Sequence, residues 1–306
     1  MTQGFITIAT GKELYFRIAA NLLRSYRLRA ADPKPFAILC DRENQYTELF
    51  DDVILMKDPL RSYVDKVRLP EFVPYDETIF IDADSLIYRD PDFFWKVFEG
   101  GPAFSAFGSN YGTDERHAWF RIEDTGEFRD RVQYIPDFIG GVYYLRRSEE
   151  LDRFGETARY IRDHYYDYRF RQFENPSDEA IYSLAMAVHG FRTAGDRSPD
   201  VCFIPHTETV DLDFLTGKVE YTDIYKKKKG LITDSCMVHW GTGNTKKHRY
   251  LLEEYKLNEM DKKRKPGLFR LSMVSLWIKT RLGVYGAYRR TAGFCWRLLH
   301  SREKGN

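Results

Sequence analysis

The chain has 306 residues, 43% hydrophobic and 30% charged, with a formal net charge of +1. That composition excludes a disordered tail, a collagen-like fibre and a disulfide-stapled miniprotein, and the four cysteines never approach the CxxC spacing of a zinc ribbon or a thioredoxin-like site. The near-neutral total hides an acidic body and a basic end, since residues 1–261 carry 35 Lys and Arg against 45 Asp and Glu while residues 262–306 carry 12 against 1.

In chain order, Gly4 to Thr10 reads as a strand, Glu13 to Arg29 carries apolar residues at helical spacing, and Phe36 to Cys40 and Val53 to Met56 read as two further strands. Ser62 to Leu69 reads as a helix, and Thr78 to Ile81 as a strand running into Asp82-Ala83-Asp84. Strands alternating with helices imply a mostly parallel sheet with right-handed crossovers, and such sheets bind ligands beyond the carboxyl ends of their strands. Ala103 to Phe107 and Gly140 to Leu145 read as strands around a charged, aromatic insertion, Asn110 to Tyr134, with the character of a lid. Arg147 to Arg171 and Ser177 to His189 read as helices, and Cys202 to Ile204 and Met237 to Trp240 as short late strands.

After Pro266, apolar and basic residues mix, and Gly283, Gly286 and Gly293 favour two or three short helices over one. Trp, Phe and Leu beside Lys and Arg suit a helix lying on an anionic membrane surface through residues 267–306; docking on the acidic body is the alternative. A basic start with an apolar run is absent and no stretch approaches the ~20 apolar residues of a spanning helix, so we expect a cytoplasmic protein with reduced thiols, peripheral at most to the inner face of a membrane.

The chemistry concentrates at Asp82 and Asp84. Two carboxylates at the end of a buried strand suit a hard divalent cation that bridges phosphates, although a D-x-D alone also occurs as plain loop carboxylates. Lys66 and Arg68 precede that strand, and His239-Trp240-Gly241-Thr242-Gly243 with Lys246 puts an imidazole before a Gly-rich turn, a pattern suited to Mn²⁺ or Zn²⁺ and a diphosphate. The run Lys226 to Lys229 reads as a solvated loop.

Taken in order, Thr10 and Tyr15, Lys66, Asp82-Ala83-Asp84, Phe138-Ile139-Gly140-Gly141-Val142, Asp178-Glu179 and His239-Trp240-Gly241 with Lys246 resemble a GT-A glycosyltransferase, most similar to glycosyltransferase family 8 over roughly residues 4–250. The resemblance implies a GT-A (nucleotide-diphospho-sugar transferase) fold: an α/β catalytic domain over residues 1–261, with a Rossmann-like, mostly parallel central sheet flanked by helices, followed by a basic helical segment over 262–306. It implies Mn²⁺ or Mg²⁺ on Asp82, Asp84 and His239, gripping the diphosphate of a UDP-sugar. Ile8, Ala9, Thr10 and Tyr15 then fall by the uracil and ribose, Lys66, Gly243 and Lys246 by the diphosphate, and Ala83, Gly140, Gly141 and Glu179 along the donor. Asp178 takes the position facing the reacting carbon, and a hexose passes with retention to a hydroxyl acceptor, a glycan or glycolipid precursor. Ile139 stands where the family commonly has Asn and Glu179 where it has Gln, so the donor-sugar pocket departs from the pattern. Competing readings are a catalytically degenerate nucleotide-sugar scaffold and a haloacid-dehalogenase-like phosphatase built on Asp82 and Asp84; no nucleic-acid module is recognisable.

Overall fold

The computed structural model describes residues 1–112, 119–170, 174–195, 201–225, 229–233 and 235–301, the last sixteen of these by backbone alone. Its centre is a six-stranded sheet of β1 (Gln3–Ala9), β2 (Phe36–Cys40), β3 (Asp52–Leu55), β4 (Glu77–Ile81), β6 (Phe104–Gly112) and β7 (Tyr134–Arg146), in the order β3-β2-β1-β4-β7-β6. β3, β2, β1 and β4 pair in parallel and β7 runs antiparallel between β4 and β6. The architecture is α/β with a mostly parallel sheet, as the alternation of strands and helices implies.

Alternation along the strands separates two cores. Phe5, Ile38, Ile79 and Ile81 face the layer of α1 (Glu13–Arg29), α2 (Phe93–Phe98) and α5 (His248–Asp261). Ile6, Leu39, Phe80 and Tyr143 face α3 (Glu149–Asp163) and α4 (Asp178–His189). Strands buried on both faces are the reason the early apolar runs are continuous. In α1, Phe16, Ile18, Ala19, Leu22, Leu23 and Tyr26 form the buried stripe, and Arg27 and Arg29 fall in the last turn, where cations suit the helix dipole.

A smaller sheet, β5 (Ser85–Ile87), β11 (Met237–His239) and β8 (Cys202–Phe203), has β11 in the middle. A hairpin of β9 (Thr207–Asp213) and β10 (Lys218–Asp223) lies in the chain between β8 and β11.

Several expectations are corrected. Residues Tyr63–Phe72 form tight 3-10 turns, opened by a Ser62–Asp65 capping box and crossed by Pro70, where a regular helix was expected. The helix expected over Arg147 to Arg171 stops at Asp163, and Tyr165–Asp167 is a separate turn. In the expected insertion, Trp119, Phe120 and Phe128 are buried in the core and Trp119 donates to Asp137 at 2.8 Å, which binds this part to β7. The tail is one helix, α6 (Leu268–Ser301), not two or three. Glycine costs only about 1 kcal/mol inside a helix and no proline intervenes after Pro266, so the glycines do not break it. The first three lysines of the run at 226 lie outside the described residues.

Candidate active site

The site forms where β4 ends. Asp82 N–H donates to the carbonyl of Gly141 on the neighbouring strand, and Ser85 N–H to the carbonyl of Asp82, so the chain turns sharply through Ala83 and Asp84 into β5. β5 then pairs with β11, His239 opposite Ser85, and this register sets the imidazole beside Asp84. His239 Nε2 lies 3.1 Å from Asp84 Oδ1 and 3.6 Å from Asp82 Oδ2. The ring packs over Gly141, where a Cβ would meet His239 Nδ1 at 2.7 Å, so the close approach requires glycine.

Lys66 enters from the opposite side. Its Nζ is 3.0 Å from Asp82 Oδ2, 3.2 Å from Asp178 Oδ2 and 3.4 Å from the carbonyl of Gly140. Tyr143 donates to Asp178 Oδ2 at 2.7 Å, and Gly140 N–H donates to Glu179 Oε1 at 2.6 Å. Thr242 donates to Asp84 Oδ2 at 2.9 Å. A cleft of about 360 Å³ opens from these groups, lined among others by Ile8, Thr10, Tyr15, Tyr63, Lys66 and Ala83. It stands beyond the carboxyl ends of β1 and β4, where parallel sheets receive ligands.

Charge governs the site's chemistry. Burial disfavours the imidazolium of His239, but Asp84 and then Asp82 outweigh it and raise its pKa. Burial likewise opposes the charged Lys66, and Asp178 and Asp82 overcome it, so the ammonium persists. Burial raises Asp82, with Lys66 pulling against it and Asp84 adding to it. For Asp84, burial is overcome by His239 and Thr242, which hold it below its ordinary value. Burial, then the charge of Asp178, push Glu179 up to about 7 against the Gly140 amide.

The residues fit a divalent cation. Asp84 Oδ1 is buried with the His239 ring nitrogen at 3.1 Å beside it, and ligand atoms from Asp82, Asp84 and His239 lie within 4.8 Å of one another. An octahedral ion with bonds near 2.1 Å holds adjacent ligands about 3 Å apart, close to the separations of Nε2 from the two carboxylates. Four carboxylates, Asp82, Asp84, Asp178 and Glu179, gather around Lys66 and His239, so even with the imidazole protonated negative charge is in excess, an imbalance that a divalent charge corrects. Two carboxylates with an imidazole make a mixed oxygen and nitrogen donor set for a divalent ion.

The expected residues therefore divide. Asp82, Ala83, Asp84, Lys66, Gly140, Gly141, Asp178, Glu179 and His239 come together, with Ile8, Thr10 and Tyr15 along the cleft; Ala9 is buried at the end of β1. Gly243 and Lys246 are exposed on their loop and outside the cleft lining. Asp178 is buried behind Lys66, and Glu179 is the more open of that pair. Ile139 is exposed next to Gly140. Sequence reasoning missed Thr242, Tyr143 and the buried Asp65, which accepts from Thr10 Oγ1 at 3.1 Å and from the backbone N–H groups of Leu60 and Ser62. The threonine lies inside the Gly-Thr-Gly turn already singled out; Tyr143 and Asp65 carry no signal beyond an inward strand position and a capping box.

No protein-family model and no curated protein matches the sequence. Among solved structures, the chain is similar to the galactosyltransferase LgtC in complex with donor and acceptor sugar analogues, at 12% identity and a TM-score of 0.49 over 86% of this chain and 97% of that one. It is similar to the bifunctional glycosyltransferase WbbM at 12% identity and a TM-score of 0.47, over 78% of this chain and 46% of that one. It is also similar to the glycosyltransferase GlyE of Streptococcus pneumoniae TIGR4 at 15% identity and a TM-score of 0.42, over 63% of this chain and 45% of that one. All three relatives in structure are glycosyltransferases.

Proposed function

We propose that the chain is a metal-dependent glycosyltransferase that moves a hexose from a UDP-sugar to the hydroxyl of a glycan or glycolipid precursor. The observation that carries this reading is the convergence of Asp82, Asp84 and His239 with buried Lys66 at the mouth of a cleft lined by Thr10 and Tyr15. A divalent ion on the three ligands supplies positive charge to a diphosphate leaving group.

The chain's own groups do the rest. Tyr15 offers an aromatic face to a base, and the ends of β1 offer backbone polar groups to its edge. Lys66, held by Asp82 and Asp178, keeps a fixed positive charge beside the phosphates as negative charge develops. Asp178 orients Lys66 and accepts from Tyr143, while the half-buried Glu179 and exposed Ile139 line the donor-sugar side. A carboxylate near the anomeric carbon stabilises an oxocarbenium-like centre, and front-face transfer with retention follows when the departing phosphate takes the acceptor proton.

Thermal unfolding with UDP, with Mn²⁺ and with both tests this reading. With Mn²⁺ present, UDP at ~100 times its dissociation constant should add about 2.7 kcal/mol of stability beyond the metal alone, and Asp84→Ala should abolish that joint shift. Intact UDP-sugar after prolonged incubation with metal and a range of sugar acceptors, despite binding, points to the degenerate scaffold.

A further inference from the structure

We propose that a second cavity, between α3 and the Tyr63–Phe72 turns, binds the distal sugars of an uncharged oligosaccharide acceptor. Its role, though not its binding, rests on the transfer reading above. The cavity measures about 650 Å³, within the range of ligand sites, and is lined by three arginines, Arg68, Arg159 and Arg162, three acids, Asp58, Glu71 and Asp163, and Leu60. One stretch of chain serves both cavities. Leu60 and Arg68 line this one, while Arg61, Ser62, Tyr63 and Lys66 line the cleft. The wall between them is therefore that single segment, pinned by Asp65, which accepts from Leu60 N–H at 2.7 Å and from Ser62 N–H at 3.3 Å.

Charge decides the class of ligand. Three guanidinium groups meet three carboxylates, so the lining offers a phosphate or sulfate no net positive field. The pairs are fixed in place: Glu71 Oε1 lies 3.0 Å from Arg159 Nη1, Glu71 Oε2 lies 3.3 Å from Arg68 Nε, and Asp163 Oδ1 lies 2.8 Å from Arg162 Nε. Arg68 also donates to the carbonyl of Lys57 and lies over the Phe72 ring at 5.3 Å. A guanidinium has five N–H donors and a carboxylate about four acceptor sites, so each pair keeps donors and acceptors side by side, which is what neighbouring hydroxyls of a sugar ring require. Apolar contact is at hand too. Leu60 and Tyr63 are more than half exposed, and Tyr166, just past the end of α3, is 73% exposed. Tyr165 lies close enough to Tyr63 and Tyr166 to feel both, its ring 5.6 Å from that of Tyr166, and it takes a hydrogen bond from the backbone of Ser177. Ser177 precedes Asp178, so these rings adjoin the donor-sugar side of the site rather than the base side. Exposed rings grouped in this way mark a binding surface, and the C–H face of a sugar covers a ring. A saccharide that fills the cavity and passes Tyr63 brings its end to the reacting carbon.

The test is binding of the labelled full chain to an array of defined neutral, sulfated and phosphorylated glycans, from single sugars to hexasaccharides, without nucleotide or metal. Binding should need more than one sugar, favour neutral chains, and fall by about tenfold both in Arg159→Gln/Arg162→Gln and in Tyr166→Ala, whose folding is checked by circular dichroism. Both variants should keep the joint UDP and Mn²⁺ stabilisation, because none of the three residues lines the cleft. The proposal is overturned if no neutral glycan binds, if single sugars bind equally well, if anionic glycans are preferred in a salt-sensitive way, or if either variant binds unchanged. Glycan binding by a chain that shows no response to UDP and Mn²⁺ upholds this site and removes the transfer reading instead.

Discussion

Lys66 is the residue on which the site's electrostatics turn. It is buried between Asp82 and Asp178, and both carboxylates lose their neighbouring cation if it is removed. Breaking a buried pair in this way costs about 3–5 kcal/mol, so Lys66→Met should unfold at clearly lower denaturant in chelator, and Mn²⁺ should restore part of the loss. Glu179 makes the opposite case. With its pKa pushed up to about 7, the folded chain binds a proton that the unfolded chain has released between roughly pH 4.5 and 7. Stability therefore falls as pH rises through that window. Glu179→Gln, which keeps an acceptor for the Gly140 amide, removes the penalty: it should melt higher than the parent at pH 8, by about 3 kcal/mol at most, and the advantage should shrink to nothing below pH 4.5. An equal advantage at both pH values would show that burial of the charge is not the cause.

Among the elements, the junction of β4, β7 and β11 does most to build the site. Gly141 must lack a Cβ for His239 to approach, so Gly141→Ala should weaken Mn²⁺ affinity by about 10–100-fold in a paramagnetic titration and cost about 1–3 kcal/mol of stability as the buried ring is displaced. The early elements were legible because both-face burial leaves β2 an unbroken apolar run and one-face burial gives α1 its helical spacing; both fall at the expected residues. The Asp82–Asp84 pair was legible for the same reason, since such a run ends abruptly in two carboxylates. The hairpin β9–β10 was not, because TETVDLD and KVEYTD hold too many charges for a hydrophobic pattern. Nor was the α5 helix, whose buried Glu253, Glu254 and Lys256 make sense only through partners distant in sequence, such as Tyr88 and Asp213.

At the scale of the molecule, the site and the tail are separable. The described contacts of α6 are with α5, and the cleft lining includes no residue beyond Thr242. A chain ending at residue 266 should keep the joint UDP and Mn²⁺ stabilisation while melting a few degrees lower, because it loses the buried Ile278, worth about 1.5–3 kcal/mol, and the His248–Ser275 contact. Loss of the ligand response on truncation would join the two parts into one unit.

The placement of β11 bears on when the protein can act during its own synthesis. Asp82 and Asp84 emerge early, but His239 and the strand that carries it leave the ribosome much later, and β11 is the middle strand of its sheet, between β5 and β8. A nascent chain that has just completed β4 thus exposes two acids without the imidazole or the register that brings it near. The cluster closes only after nearly all of residues 1–261 have been translated, so half-made chains lack the joined set of Asp82, Asp84 and His239.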